Sequence, residues 1–182
     1  TAEKLNSHDE EGNVLLKDFS ITIHPGEKVA FVGIEHNSIS SFFDIISEVT
    51  KPESGTYSWG QTTKHTYMGR DNSAYFNNEL NITDWLRQYS PDQDDAYVRG
   101  FLGRMLFSGD DALKKVKVLS GGEKVRCMLS KMMLSGANVI VLDDPTNHLD
   151  LESIESLNQG LTKFTGVVLF SSHDHEFIQT VA

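Results

Sequence analysis

Five consecutive residues have the types and order that favour binding of an anion: Leu119, Ser120, Gly121, Gly122 and Glu123. Serine is a common helix N-cap, and a glutamate three residues later has the spacing of a capping box. Apolar residues then recur at helical spacing. The pattern predicts a helix that begins at the glycines and turns free N–H groups and the positive end of its dipole toward a phosphate. An ordinary N-cap followed by a spare glycine is the structural alternative.

Two carboxylates, Asp143 and Asp144, directly follow the apolar run Val139–Leu142, which is typical of a buried parallel strand. At such a strand end one carboxylate can hold Mg²⁺ through water, and its neighbour can orient an attacking water. A second apolar run, Val167–Phe170, is followed by Ser171, Ser172 and His173. We expect His173 beside the carboxylates, within reach of a terminal phosphate. The alternative is that the acids cap local structure and the histidine is an ordinary polar residue.

The elements around these residues predict an α/β layered core. Val29–Val32 is a short apolar strand, Gly33 ends it, and a helix is expected from about Ser40, which is the order of elements in phosphate loops. A further helix is expected from Asp150 to about Leu161. Because parallel strands end at the same edge of a sheet, polar residues collected there mark a ligand crevice.

The chain from about Asp71 to Gly136 has a helical pattern instead. Thr83 can cap a helix over Asp84–Tyr89, and a longer helix is expected over Asp95–Phe107. The longer helix would turn five apolar residues to one side: Val98, Phe101, Leu102, Met105 and Leu106. A short helix follows before the one that begins at Ser120. This region is therefore predicted to form a helical lobe.

The composition is that of one globular domain. The chain has 182 residues, of which 38% are hydrophobic and 23% charged. Its net charge of −10 argues against a general nucleic-acid-binding surface. Cys127 is the single cysteine, so no internal disulfide can form and a reducing, cytoplasmic location is expected. No apolar run approaches the roughly 18 residues of a membrane span, so no membrane partner is expected.

Together these residues resemble an ATP-binding cassette. Leu119–Glu123 matches the ABC signature, Val139–Asp144 the Walker B strand with its following acid, Asn147–Asp150 the D-loop, and His173 the switch histidine. The run Pro145–Asp150 (PTNHLD) is typical of the ABC-F family, whose members carry two cassettes in one chain and no membrane domain. The resemblance implies a P-loop NTPase-type core with a mostly parallel sheet (1–70 and 137–182), a small antiparallel part and an inserted helical lobe (71–136). It also implies ATP and Mg²⁺ as cofactors.

The phosphate loop departs from the pattern G-x-x-x-x-G-K-[ST] that the resemblance implies. Gly33 is present, but Ser38 replaces the second glycine, Ile39 replaces the lysine, and His36 replaces a glycine common in this family. Side chains there hinder the close backbone approach that glycine permits. The missing lysine removes a charge-assisted contact of roughly 1.5–3 kcal/mol. No Lys or Arg occurs between positions 29 and 50, so a triphosphate would meet an unfavourable potential.

Two further departures concern the same site. By the resemblance, Arg70 takes the Q-loop glutamine position and Asp144 takes the position of the catalytic glutamate. Aspartate is shorter by one methylene, which moves its carboxylate by roughly one C–C bond. A misplacement of that size can cost about 100-fold in rate. Arg70 could instead supply the cation that Ile39 lacks, and its replacement by alanine would then weaken nucleotide binding.

In this family two cassettes pack head to tail around two nucleotides, and each site takes residues from both. For its own nucleotide the chain would use Gly33, Asn37, Ser38, Ile39, Ser40, Ser41 and Arg70, with Asp144 and His173 in catalysis and Ser40 and Asp143 on Mg²⁺. For a partner's nucleotide it would supply Leu119–Glu123 and Asp150. The alterations fall in the first set. We therefore expect the chain to hydrolyse ATP poorly by itself and to complete the site of a second cassette.

The resemblance leaves three functions open. An ABC-F cassette would act in translation, at the ribosome and its tRNA. A binding or scaffolding module would dock a partner through the helical lobe without ATP turnover. A nucleotide-binding subunit of a transporter is the third, and the form of Asn147–Asp150 argues against it. Both chain ends look cut, so the sequence is expected to be a piece of a two-cassette protein.

Overall fold

The computed structural model describes all 182 residues, from Thr1 to Ala182. The strands are Ala2–His8 (β1), Val14–Ile21 (β2), Lys28–Phe31 (β3), Ser54–Tyr57 (β4), His65–Met68 (β5), Val139–Leu142 (β6) and Val167–Ser171 (β7). The α-helices are His36–Ile46 (α1), Ile82–Arg87 (α2), Asp95–Arg104 (α3), Gly121–Leu134 (α4), Leu151–Lys163 (α5) and His175–Val181 (α6). Single 3₁₀ turns lie at Ser73–Phe76, Asp111–Leu113 and Val116–Val118.

A four-stranded parallel sheet, in the order β3-β7-β6-β5, forms the centre of the structure. Two of the short apolar runs of the sequence form its inner strands β6 and β7, which are buried on both faces as parallel strands usually are. The third run, Val29–Val32, lies largely in the half-buried edge strand β3, and Val32 beyond the end of that strand is exposed. The α/β fold class expected from the sequence is confirmed. Because all four strands run the same way, the residues that follow β3, β7, β6 and β5 meet at one edge.

A second sheet is antiparallel and has the order β2-β1-β4. Its inner strand β1 pairs with β2 at Leu5 and Phe19, and with β4 at Ala2 and Tyr57. Gly55 in β4 has a φ of +90°, and a Cβ atom there would lie 2.3 Å from the carbonyl oxygen of Lys4. Only glycine fits such a close approach.

Several helix boundaries differ from the sequence-based expectations. Asn81 rather than Thr83 caps α2, because the Asn81 side chain accepts the N–H of Asp84 at 2.8 Å. Thr83 is buried and donates its hydroxyl to the carbonyl of Ala112 instead. Helix α3 ends at Arg104, before the predicted Phe107, and Leu106 with a φ of 62° is 52% exposed rather than in the core.

Helix α1 begins at His36, four residues before the start expected at about Ser40. Glycines at positions 36 and 38 would favour an open loop. With side chains at positions 36, 38 and 39, the right-handed helical conformation is the less strained one.

The parallel sheet separates two apolar clusters. Ile140 and Leu142 of β6 face the larger cluster, which includes residues of α2 to α6, whereas Val139 and Val141 face the smaller one, which includes α1 and the antiparallel sheet. Residues 71–136, which contain helices and no strand, share the larger cluster with the sheet. None of the helices combines the length and the apolar character that crossing a membrane requires.

Candidate functional site

The residues predicted for the chain's own nucleotide meet at the carboxyl edge of the parallel sheet. In-register pairing aligns Phe31 with Ser171, Leu142 with Phe170, and Met68 with Leu142. The segments that leave these strands carry the following residues, which we call the strand-end group: Gly33–Ser41, Arg70, Asp143, Asp144 and His173.

Asp143 is the most enclosed member of the strand-end group, with 2% of its surface exposed. The Ser40 hydroxyl donates to its Oδ2 at 2.6 Å, and the Ser171 hydroxyl donates to its Oδ1 at 2.9 Å. Ser171 was not assigned a role from the sequence, although its place at the end of a buried strand was the available signal. The Ser40 hydroxyl and the Asp143 carboxylate are the hard oxygen donors that suit Mg²⁺, so this pair fits the metal that the family implies.

Asp144 is held by its backbone and by one cation. Its N–H donates to the Ser171 hydroxyl at 2.8 Å, and its φ of 52° lies in the left-handed region that aspartate tolerates better than most residues. The carboxylate is only 8% exposed, and Nη2 of Arg70 lies 3.9 Å from its Oδ2. Arg70 therefore lies beside Asp144.

His36 contacts His173 through their Nε2 atoms. The two rings meet edge to face, with centroids 4.1 Å apart and planes at 78°. The family resemblance implies a glycine at position 36, where the imidazole of His36 contacts His173 instead. Sequence reasoning noted the replacement but missed the contact, because 137 positions separate the two residues.

The phosphate loop is closed by the early start of α1. The Ser38 N–H donates to the Glu35 carbonyl at 3.2 Å, and the Ser41 hydroxyl bonds to that of Ser7 at 2.8 Å. The Ile39 side chain packs on the smaller apolar cluster, and its Cδ1 lies 3.7 Å from where a Cβ of Gly33 would be. The Asn37 side chain is exposed to solvent. The segment thus has neither the open backbone nor the cation that a triphosphate requires.

The electrostatic environment also disfavours a triphosphate at the strand-end group. Burial raises the pKa of Asp44 on α1, and the charge of Asp143 raises it further, although a hydrogen bond from Tyr67 opposes both. The phenol of Tyr67 donates to Asp44 at 2.9 Å, and burial together with this bond raises the pKa of Tyr67. Asp44 and Asp143 thus add negative charge near the strand-end group, where the guanidinium of Arg70 lies near Asp144.

The ABC-like signature forms the capping box that its spacing predicts. The Glu123 N–H donates to the Ser120 hydroxyl at 3.2 Å, and the Ser120 N–H donates to the Glu123 carboxylate at 3.3 Å. Burial alone would raise the pKa of Glu123. The hydrogen bond from Ser120 and the ammonium of Lys114 at 3.2 Å outweigh it, so the pKa lies below its ordinary value.

The two signature glycines differ in their surroundings. Ser120 and Gly121 are exposed, as expected for residues that present N–H groups. Gly122, in contrast, is buried against α5, where a Cβ atom would overlap the hydroxyl of Ser153. Its neighbour Leu119 is also buried and packs in the larger cluster.

Asp150 caps the next helix beside the signature. Its carboxylate accepts the Ser153 N–H at 2.9 Å, and this interaction with Ser153 holds the pKa of Asp150 below its usual value. Leu149 lies 3.7 Å from where a Cβ of Gly121 would be, so α4 and α5 start side by side. We call Leu119–Glu123 and Asp150 the helix-start group. No hydrogen bond or ion pair joins it to the strand-end group.

Comparison with a family model and with known proteins points to one family. A family model described as ABC transporter matches residues 16–147. An uncharacterized ABC transporter ATP-binding protein, YkpA of Bacillus subtilis, is 56% identical over 94% of this chain and 32% of its own length. The probable ATP-binding protein YbiT of Escherichia coli O157:H7 is 40% identical over 92% of the chain and 32% of its own length.

More distant relatives and solved structures are also similar to this chain. The energy-dependent translational throttle protein EttA of Escherichia coli K12 is 32% identical over 93% of the chain and 31% of its own length. The chain thus spans about a third of the length of these relatives. A dimeric ATP-binding cassette bound to ADP and Pi superposes with a TM-score of 0.78, at 20% identity, over 99% of this chain and 90% of that one. The archaeal ribosome recycling factor aABCE1, in complex with the stalk protein aP1, has the same TM-score at 20% identity over 100% and 35% of the two chains. Both structures establish likeness of fold.

Proposed function

This chain belongs to the ABC transporter ATP-binding cassette family, and on that premise we propose that it serves mainly to complete the ATP site of a second cassette. Its own site would bind and hydrolyse ATP weakly or not at all. In the arrangement we propose, the two cassettes pack head to tail, and the helix-start group of this chain faces the nucleotide held by its partner.

The observation that carries this proposal is the contrast between Ile39 and Ser120. Ile39 places an apolar side chain beside Gly33, on a helix that already starts at His36. Ser120 is exposed at the start of α4, and its hydroxyl still has a proton to donate after it accepts the Glu123 N–H. The N–H groups of the first helical turn have no partner within the helix. An anion is therefore favoured at Ser120 and disfavoured at Ile39.

The strand-end group fits Mg²⁺ better than it fits the triphosphate of ATP. Ser40 and Asp143 would hold Mg²⁺, but the segment Gly33–Ser41 does not fit the triphosphate that normally accompanies the metal. ATP, when bound by a partner, supplies the bond that is hydrolysed. The contribution of this chain is to orient the terminal phosphate through the Ser120 hydroxyl and the Gly121 N–H, and to shield the site with the loop that ends at Asp150.

We further propose that the two-cassette protein is of the ABC-F type and acts in translation. The PTNHLD run at Pro145–Asp150 supports this, as does the presence of a translational throttle protein and of an ABC transporter F family member from Arabidopsis thaliana among the relatives. The ribosome and its tRNA would then be the partners, with a cytoplasmic location.

ATP titration and partner stimulation test the proposal together. Labelled ATP is titrated against this 182-residue chain with and without Mg²⁺, and hydrolysis by a partner cassette with an intact G-K-[ST] loop is measured with and without the chain. We expect no micromolar, Mg²⁺-dependent binding to the chain and a clear stimulation of the partner. Micromolar Mg²⁺-dependent binding to the isolated chain would contradict the proposal.

A scaffolding module is the second candidate, and the internally paired strand-end group favours it. Ser40 pairs with Asp143, Arg70 lies beside Asp144, and His36 contacts His173, so these side chains take one another as partners. In that case the chain would bind the partner cassette but leave its ATP hydrolysis unchanged. The stimulation measurement therefore separates the two candidates.

A further inference from the structure

We infer that Ser153 is a positioning residue, which fixes helix α4 against helix α5 so that Ser120 and Asp150 meet a partner's nucleotide as one unit. This inference rests on the proposed function and identifies the contact that would set the geometry of the site supplied to the partner. Ser153 itself lies on α5, where it is 6% exposed.

The contact between Gly122 and Ser153 leaves no room for a side chain at position 122. An ideal Cβ on Gly122 would lie 1.8 Å from the Ser153 hydroxyl oxygen and 2.5 Å from the Ser153 Cβ. Both distances are far below van der Waals contact, and the second involves an atom fixed to the α5 backbone. Any residue larger than glycine would therefore push the two helices apart.

Gly121, the neighbouring signature glycine, is not constrained in this way. A Cβ there would meet only Cδ2 of Leu149, at 3.7 Å, which is ordinary contact. Glycine at position 122 is thus required by helix packing, whereas glycine at position 121 is not.

Ser153 also connects the contact to Asp150. Its N–H donates to the Asp150 carboxylate at 2.9 Å, and the charge of Arg126 on α4 contributes to holding the pKa of Asp150 low. One residue thus contacts the signature through its side chain and caps the D-loop aspartate through its backbone. A shift of Ser153 would displace Ser120 relative to Asp150, and a displacement of about 1 Å in a catalytic site can cost about 100-fold in rate.

The test compares Gly122→Ala with two rescuing substitutions, in the two-cassette protein and in this chain alone. Gly122→Ala is expected to lower kcat of the partner's site about 100-fold at a temperature where circular dichroism shows the variant folded. Adding Ser153→Gly removes both clashing atoms and should restore most of kcat and of the melting temperature. Adding Ser153→Ala instead leaves the Cβ at 2.5 Å, so it should restore much less. Gly121→Ala is the stability control, and its melting temperature should stay close to that of the wild type.

The outcomes separate the inference from the proposed function. If the wild-type chain stimulates no ATP hydrolysis, the proposed function fails. If it does, but Gly122→Ala with Ser153→Gly is as inactive as Gly122→Ala, Gly122 acts directly on the nucleotide and the inference is overturned. Should Gly122→Ala fail to fold, the melting temperatures of the two double variants decide: equal values contradict the inference. A purely structural role would lower stability while leaving kcat of the folded protein unchanged, and this result would also overturn it.

Discussion

The strand-end group and the helix-start group hold their polar atoms in opposite ways. In the strand-end group Ser40 donates to Asp143 at 2.6 Å, Arg70 lies 3.9 Å from Asp144, and His36 contacts His173. In the helix-start group Ser120 and Gly121 are exposed at the beginning of α4, where the N–H groups of the first turn have no carbonyl partner within the helix. The side chains of the strand-end group thus pair with one another, whereas the helix-start group presents free donors to solvent.

Under the proposed function, this difference would let the cassette complete a partner's ATP site while its own site binds ATP weakly or not at all. The two groups lie on different elements, and no hydrogen bond or ion pair joins them. Substitutions in the phosphate loop therefore leave the signature intact. The following substitutions test this difference between the strand-end group and the helix-start group, beginning with the largest expected effect.

Ser120→Arg should abolish ATP turnover by the two-cassette protein. The arginine side chain would fill the space in front of the α4 N-terminus and remove the hydroxyl that donates to the phosphate. Steady-state phosphate release is the measurement. Ser58→Arg, which adds the same charge at an exposed serine outside both groups, should leave turnover near wild type. Unchanged turnover in Ser120→Arg would count against a shared site.

Restoring the phosphate loop should create nucleotide binding where the wild type has little. The triple change His36→Gly, Ser38→Gly and Ile39→Lys opens the loop and returns the cation. A charge-assisted contact of roughly 1.5–3 kcal/mol corresponds to roughly 10- to 150-fold tighter binding of Mg-ATP. Equilibrium titration with labelled ATP measures the gain. His36→Gly and Ser38→Gly without the lysine is the matched control, and equal affinities of the two variants would show that the charge is not what the site lacks.

Arg70→Ala should lower the free energy of unfolding by about 0.5–1 kcal/mol, since the ion pair with Asp144 is half exposed and long. Urea denaturation measures the change, and Arg70→Lys should retain part of the stabilisation because it keeps the cation. If Arg70→Ala instead weakens ATP binding without affecting stability, Arg70 serves as the replacement cation. The side chains of the strand-end group would then bind nucleotide and would not only pair with one another.

The smallest expected effect concerns pH and Asp150. Its pKa is depressed by Ser153, so its stabilising contribution is present above the unfolded value of about 3.9 and is lost as the pH falls through the folded pKa. Asp150→Asn keeps a good N-cap but does not titrate. The melting temperature of the wild type should therefore fall more steeply than that of Asp150→Asn on acidification. Parallel slopes would indicate that Asp150 has no special role at the start of α5.

Local patterns of the sequence predicted the parts of this protein that depend on near neighbours. The apolar runs became β6 and β7, and the spacing from Ser120 to Glu123 became a capping box, because three residues suffice to form it. Strands β1 and β5 were not recognised, since their mixed composition becomes strand-like only when they pair with distant segments. The cap at Asn81 was assigned to Thr83 because both types favour N-caps, and only the contact of Thr83 with Ala112 distinguishes them.

The sequence by itself determined the loss of the lysine at Ile39 and the retention of the signature, because residue identity fixes charge and donor type. Tertiary structure alone decided which contacts the residues of the strand-end group and of the helix-start group form. The contacts of Ser40 with Asp143 and of His36 with His173 join residues more than a hundred positions apart, and Gly122 meets Ser153 only because α4 packs on α5. Such contacts depend on how whole elements pack, and no local pattern encodes that packing.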